Sequence, residues 1–488
     1  MRWIPILLLA ALPADAAVFR VTKTADTLDG ACDLDCSLRE AVQASNLTAE
    51  HDVILLGPGV FTLTRPAPFE DHNLSGDLDV RGGLAILGEG PDRTVLDGNG
   101  TDRLLEVHDP GSLDLQRVTV RNGALKRPST HPFFFENGGG INGNHRRLTV
   151  AESVITANRT DGYGGGLAGS DLVVRDTTVS GNEAVLGGGG IVAWAWLRAE
   201  NVTVSGNRAG SEGGGGLLMA PHDQEIAHST VTGNVTTGWG GGIGSLGIGC
   251  PSSSSEPCEP RFILRRSIVA GNSDGHGMPD CAGLEEIGEG FNVFGVAEGC
   301  GPGSQDRAGT LAAPLDPMLS PLGDHGGPAP THLPLAGSPA IDFAGFVCPG
   351  RDQRGAARPV NACDSGAVEA TIACVPSDTA LCFEGGRFRA TAFWKTAGGD
   401  GQALALPVAA DTGYFWFFSP DNLEVNIKVL NGCGVNGRFW VFVSGLTNVE
   451  VDVFVEDFVK HEVWRHTHPA GAPFAPRLDT NALSCVNL

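Results

Sequence analysis

The chain has 488 residues, 70 of them glycine and only 18% charged, and its 56 acidic side chains outnumber 33 basic ones to leave a formal charge of −23. Such a surface repels nucleic acid and anionic lipid, so neither is expected as a partner, while it is compatible with calcium or with neutral glycans. So much glycine with so few charges suits a long β structure better than a helical one.

Residues 1 to 16 read as an export signal: Arg2, the apolar run Ile4 to Leu12, then Ala14-Asp15-Ala16 as a small-residue cleavage site. No later segment is apolar and long enough to span a bilayer, so no transmembrane segment is expected in the mature chain. Twelve cysteines in an exported chain suggest disulfides. Several lie close in sequence: Cys32 with Cys36, Cys250 with Cys258, Cys281 with Cys300, Cys348 with Cys363 and Cys374 with Cys382, which leaves Cys433 and Cys485 as a long-range pair. None of these spacings suits zinc.

At Cys36-Ser37-Leu38-Arg39-Glu40-Ala41, Ser37 can cap a helix while Glu40 reaches back to the Ser37 amide. The helix should run from about Leu38 to Ser45 with Leu38, Ala41 and Val42 on one face. Short strands follow at Val53-Ile54-Leu55-Leu56, Val60-Phe61-Thr62-Leu63, Leu84-Ala85-Ile86-Leu87 and Val95-Leu96.

From Leu148 to Asn272 one pattern returns, with key residues at offsets of zero, two, five, seven and ten. The copies are Leu148, Val150, Ser153, Ile155, Asn158; Leu172, Val174, Thr177, Val179, Asn182; and Leu197, Ala199, Val202, Val204, Asn207. Two more are Gln224, Ile226, Ser229, Val231, Asn234 and Phe262, Leu264, Ser267, Val269, Asn272. A weaker copy, Leu113, Leu115, Val118, Val120, has Gly123 in place of the Asn. The starts at 148, 172, 197 and 224 lie 24, 25 and 27 residues apart, the length of one solenoid coil. Steps of two place side chains on one strand face and the step of three marks a bend. The Asn residues fall at one turn, where the amides of successive coils can bond to one another. Between copies lie glycine runs, each followed by an apolar residue, Ile141, Leu167, Ile191, Leu217 or Ile243, expected inward on a third strand. The pattern specifies a right-handed parallel β-helix covering about residues 47 to 272, with the early helix as its N-terminal lid.

Two coils are long, and their surplus should form loops. The first, about residues 124 to 137, holds Phe133, Phe134 and Phe135, which form either a binding rim or a small satellite core; the second, about 246 to 261, is closed by Cys250 and Cys258. If the strand after Gly190 stays extended to Leu197, Trp194 and Trp196 both face outward as a surface on which sugar rings can stack. Polysaccharide hydrolases on such a scaffold need carboxylates on adjacent coils, and lyases need calcium held by several carboxylates with a basic group. The repeats place Gly, Ser and Thr at most such positions, and no pair of Asp residues recurs in register on neighbouring coils. Gly275-His276-Gly277 stands without the carboxylate and basic motifs that would make it catalytic, while Asp161, Asp171 and Asp176 are candidates to meet a cation. No catalytic residue is assigned.

Residues 273 to 370, rich in Gly and Pro, should close the C-terminal end of the tube. Residues 371 to 488 change character: Tyr414-Phe415-Trp416-Phe417-Phe418, Phe439-Trp440-Val441-Phe442 and Glu450-Val451-Asp452-Val453-Phe454-Val455 alternate as strands of a small β-sandwich.

The segment from Thr22 to Asn46, centred on Cys36-Ser37-Leu38-Arg39-Glu40-Ala41, resembles the N-terminal domain of the CSLREA family of exported bacterial repeat proteins. Gly337-Ser338-Pro339-Ala340-Ile341-Asp342, Asp352-Gln353-Arg354-Gly355, Arg358-Pro359 and Cys363-Asp364-Ser365-Gly366-Ala367-Val368-Glu369 resemble the choice-of-anchor Q module of the same β-helix proteins. The resemblance implies a pectin-lyase-like β-helix outside the cytoplasm and no particular reaction. Family members commonly carry C-terminal surface anchors, whereas Ser484-Cys485-Val486-Asn487-Leu488 has no apolar tail or basic cluster, which favours release. The expectation is a secreted or surface β-helix that binds glycans or envelope components, with a polysaccharide lyase or hydrolase and a structural spacer as the alternatives.

Overall fold

The computed structural model describes residues 16–485 apart from 49, 66–69, 127–136, 247–261, 285–289, 336, 346–347, 349, 359–362, 371–373, 375, 459 and 461. Three parallel sheets of fifteen, ten and five strands wind around one core as a right-handed parallel β-helix. The long sheet pairs the repeat starts in register, Leu148 with Leu172, Leu172 with Leu197, Leu197 with Gln224 and Gln224 with Phe262. The second sheet pairs Ile155, Val179, Val204, Val231 and Val269 in the same way. Every inward aliphatic thus sits above another, and the column is almost wholly shielded from water. At the bend between these sheets Glu152, Asp176, Asn201, His228 and Arg266 take left-handed φ between 45° and 54°, a conformation tolerated for single residues that turn the chain sharply.

The third face differs from the expectation. Its strands are two residues long, Ala124–Leu125, Arg159–Thr160, Glu183–Ala184, Arg208–Ala209 and Val235–Thr236, directly after the position of the repeat Asn. The apolar residues behind the glycine runs belong instead to the long sheet: Leu167 opens the strand Leu167–Arg175 and Ile191 opens Ile191–Glu200, each running on into the next copy. The chain passes from glycine run to repeat through a bulge between Gly169 and Asp171, so no turn is needed there. Glycine is required in the runs by close approach: a Cβ on Gly189 would lie 2.4 Å from the Gly215 carbonyl oxygen and 2.5 Å from that of Arg208.

The helix Leu38–Ser45 carries the full capping box, with Glu40 N–H donating to Ser37 Oγ and Ser37 N–H to Glu40 Oε2. Its Leu38, Ala41 and Val42 plug the end of the core. Arg39, fully buried, anchors it by donating to Asp26 Oδ1 at 2.7 Å and to the carbonyls of Gly76 and Asp77.

Residues 273 to 370 do not simply close the end. Cys281–Ala282, Val293–Phe294 and Arg307–Ala308 extend the tube, after which the chain doubles back as a strap along the second sheet. Gln353 donates to Thr178 Oγ1 at 2.8 Å and accepts from Thr203 Oγ1 at 2.6 Å, and Thr230 Oγ1 accepts from the Ala367 amide. The outward threonines of successive coils supply the hydroxyl row that holds the strap, a destination that glycine and proline content could not reveal. Asp352 and Arg358 fasten it internally, Asp352 to Arg354 and Arg358 to Glu369.

Two antiparallel sheets follow as a β-sandwich. The inner one holds Leu381–Phe383, Phe388–Thr396, Gly399–Gln402, Glu450–Asp457 and Glu462–His468; the outer one holds Leu404–Ala409, Thr412–Trp416, Val425–Gly432, Arg438–Gly445 and Arg477–Ser484. Phe388, Phe415, Phe439, Val441 and Val453 form its core. Phe454 and Arg465 of the inner sheet line one depression together with Met318 and Leu319 of the strap. Five disulfides join Cys32 to Cys36, Cys281 to Cys300, Cys348 to Cys363, Cys374 to Cys382 and Cys433 to Cys485; Cys250 and Cys258 lie outside the described residues. Among the described residues no helix is long and apolar enough to cross a membrane.

Candidate functional site

The outer face of the long sheet presents two arrangements. In the middle coils, pairing continues outward from the core columns, so that Arg147 neighbours Asp171 and Asp171 neighbours Trp196, while Val173 neighbours Arg198 and Arg198 neighbours Glu225. Asp171, Trp196, Arg198, Asp223, Gln224 and Glu225 line a shallow depression of about 280 Å³. Trp196 is 57% exposed, with the His222 ring 6.4 Å away. The two tryptophans do not form one platform. Trp194 packs edge-on against Tyr163 at 5.2 Å and leans on a satellite cluster of Ala168, Val192 and Leu218. The bulge that lets the strand run on gives it two residues, Trp194 and Ala195, opposite Ser170 alone, which separates the indoles into different surroundings.

The early coils hold the second arrangement, which the repeats gave no hint of. The strands Leu78–Val80 and Leu105–Val107 pair so that Asp79 lies beside Glu106, and Glu106 lies beside Asn142 of the next coil. Carboxylates therefore do stand in register on neighbouring coils, as an Asp–Glu pair ahead of the regular repeats. The signal was present in Leu78-Asp79-Val80 and Leu105-Glu106-Val107, two apolar–acid–apolar triplets 27 residues apart. Two residues further along each strand come Arg81, His108 and Asn144, giving a grid of six polar side chains.

Within it His108 Nε2 lies 2.7 Å from Asp79 Oδ1, and Asp79 Oδ2 accepts the Asn73 amide at 2.7 Å. Glu106 Oε1 accepts from Asn142 at 3.1 Å and Asn144 at 2.9 Å, and its other oxygen pairs with Arg103. The hydrogen bond to buried Asp79 raises the His108 pKa above its ordinary value. Asp71 is exposed, and one ligand atom each of Asp71, Asp79, Glu106 and His108 lies within 4.8 Å of the others, close enough to chelate one cation. An ion would displace the hydrogen bonds now made by His108 and the amides. The arrangement also offers a histidine oriented by a buried carboxylate, the partnership used in general acid–base catalysis.

The other sequence candidates are dispersed. Phe133, Phe134 and Phe135 lie outside the described residues. Asp171 lines the Trp196 depression, whereas Asp176 accepts from Asn201 and is pushed up to about 6 by burial; Asp161 donates its amide to Leu125 in the short sheet. Asp274 Oδ1 accepts the amides of His276, Gly277 and Met278 and so shapes the glycine turn, and His276 stacks on Trp239 with ring centroids 4.0 Å apart. Asn158, Asn182, Asn207, Asn234 and Asn272 form a buried amide ladder, each donating its side-chain N–H to the next, at 2.9–3.0 Å, until Asn272 donates to Asp280.

Stacked coils, three parallel sheets and an amide ladder define a right-handed parallel β-helix. The chain matches no protein-family model and no curated protein. Among solved structures it is similar to pectate lyase Pel9A, at 14% identity over 73% of this chain and 96% of that one, with a TM-score of 0.34.

Proposed function

We propose that the chain works outside the cytoplasm as a glycan-binding β-helix protein, of the CSLREA and choice-of-anchor Q type that its N-terminal and strap motifs resemble. The export-signal pattern of residues 1 to 16 and the five disulfides support the compartment. The observation that carries the binding reading is Trp196, a mostly exposed indole beside the carboxylates of Asp171 and Glu225 and the Arg198 guanidinium on the outer face of the long sheet. An aromatic face takes the C–H side of a sugar ring, and polar neighbours fix its hydroxyls. The test is retardation of the mature, oxidised protein in gels containing plant or bacterial polysaccharides. Trp196→Ala should abolish at least part of the retardation without moving the urea midpoint; a protein that no polysaccharide retards is a spacer.

The Asp79–Glu106–His108 grid favours one second reading, a hydrolase or lyase acting in the early coils. Sustained release of reducing ends or unsaturated products, lost in both Glu106→Gln and His108→Gln, would replace the binding role with catalysis.

A further inference from the structure

We propose that the outer sheet of the C-terminal sandwich is a second carbohydrate-binding surface, one that takes an uncharged polysaccharide. Strand alternation sends Phe415, Val425, Ile427, Val429, Phe439, Val441 and Val443 into the core, which turns Tyr414, Trp416, Leu430, Trp440 and Phe442 to the opposite face. Among the described residues only the short helix Cys433–Asn436 touches that face, at its Trp440 edge, and its margins are bare, with Val408 63% and Leu478 70% exposed. A sandwich of this size ordinarily keeps its aromatics inside; here Tyr414, Trp416, Trp440 and Phe442 stay only half-buried on the outer face.

The rings are held in place. Trp440 Nε1 donates to Asn436 Oδ1 at 2.9 Å, and the indole lies across Gly432, where a Cβ would meet it at 2.2 Å. Phe442 lies nearly parallel to Trp440, at 28° with centroids 6.3 Å apart. Across the sheet, Tyr414 pairs with Asn426, and Thr412 pairs with Lys428, which pairs with Phe442. Tyr414 and Phe442 therefore lie on the two strands flanking Asn426 and Lys428, diagonally roughly 12 Å apart, while Trp416 and Trp440 extend these flanks in opposite directions along the strands. That is a pair of stacking surfaces with hydrogen-bond donors in the gap, dimensioned for a few sugar units.

Charge selects the class of glycan. The outward positions of this sheet carry no carboxylate, in a chain whose formal charge is −23. Lys428 is paired with Asp411 at 3.5 Å and Arg438 donates to Ser484 Oγ, so the face is close to neutral. The field of the whole molecule repels polyanions, and a neutral, desolvation-ready face complements a polymer that carries no charge. This surface is independent of the Trp196 depression, which lies on the β-helix.

The experiment uses the mature, oxidised full chain in affinity gels and titration calorimetry, with soluble β-glucan, galactomannan and arabinoxylan as neutral probes and polygalacturonate as the charged one. At least one neutral probe should bind, Tyr414→Ala/Trp440→Ala should lower that affinity at least tenfold, and Trp196→Ala should leave this component in place. Asn426→Arg, which keeps every ring and fills only the gap, should act like the double variant. Binding unchanged in both sandwich variants overturns the proposal, and if Trp196→Ala alone removes binding, the β-helix site survives while this one fails. Preference for polygalacturonate, or self-association in sedimentation that the double variant abolishes, would likewise overturn it.

Discussion

Replacing Asn207 by alanine tests how much the buried amide ladder contributes against the apolar column beside it. Asn207 is 1% exposed, and its Oδ1 accepts both the backbone and side-chain N–H of Asn182 at 3.0 Å. Its Nδ2 donates to the Val179 carbonyl and to Asn234 Oδ1, each at 2.9 Å. Truncation leaves the Asn182 amide N–H with no acceptor and Val179 O with one fewer donor. A buried polar group stripped of its partner costs about 1–3 kcal/mol, so two groups should cost about 2–6 kcal/mol. Val179→Ala, which removes two methyl groups from the packed column, should cost about 1–3 kcal/mol. The polar substitution should therefore be the more damaging of the two. Asn207→Asp keeps the shape but cannot donate, and it should be as damaging at pH 8 and partly recover on acidification as the carboxyl protonates. Urea unfolding followed by tryptophan fluorescence measures all three. A loss below 1 kcal/mol for Asn207→Ala would refute the argument that the ladder's hydrogen bonds, rather than the aliphatic stack alone, hold the coils in register.

Gly189→Ala places a methyl against the backbone of the next coil and should block accumulation of folded protein, read as lost secretion or aggregation, with normal yield as the contrary outcome. His332, buried between Ser205 and the Ser320 carbonyl, is lowered by burial to about 4. Since the unfolded side chain takes its proton below about 6.5, the stability it confers is complete above that pH and declines by about 3 kcal/mol as pH falls to 4. The stability difference between wild type and His332→Gln should narrow accordingly between pH 7.5 and 4; a difference independent of pH would contradict the buried neutral state. Cys433 and Cys485 close a loop of 52 residues, so the paired serine variant should lower sandwich stability by roughly 2–4 kcal/mol, measurable as an earlier transition than that of the β-helix.

The parts of the fold legible in the sequence were those where one residue type meets its own copy. Leu148, Leu172 and Leu197 share a column and the Asn residues share a turn, so a fixed offset sufficed to find them. The capping box was legible because its bonds are local. What escaped depended on distant pairing. The strap bonds Gln353 to threonines 150 and 175 residues away, and no local pattern records such a separation. The Asp79–Glu106 pair lies in coils whose repeats are irregular, so parity could not be propagated to them. Trp194 and Trp196 both take the outward parity that alternation assigns them, and a single bulge separates their surroundings.

The amide ladder has a direction. Every rung is both donor and acceptor, except the last, Asp280, whose carboxylate accepts from Asn272 and from the Val296 amide and has no hydrogen to pass on. A coil inserted between Asn158 and Asn272 would find complementary neighbours above and below, whereas one added beyond Asp280 would meet a rung that offers nothing. The ladder thus accepts coils within its run and stops at Asp280, although the tube itself continues through Val293–Phe294 and Arg307–Ala308.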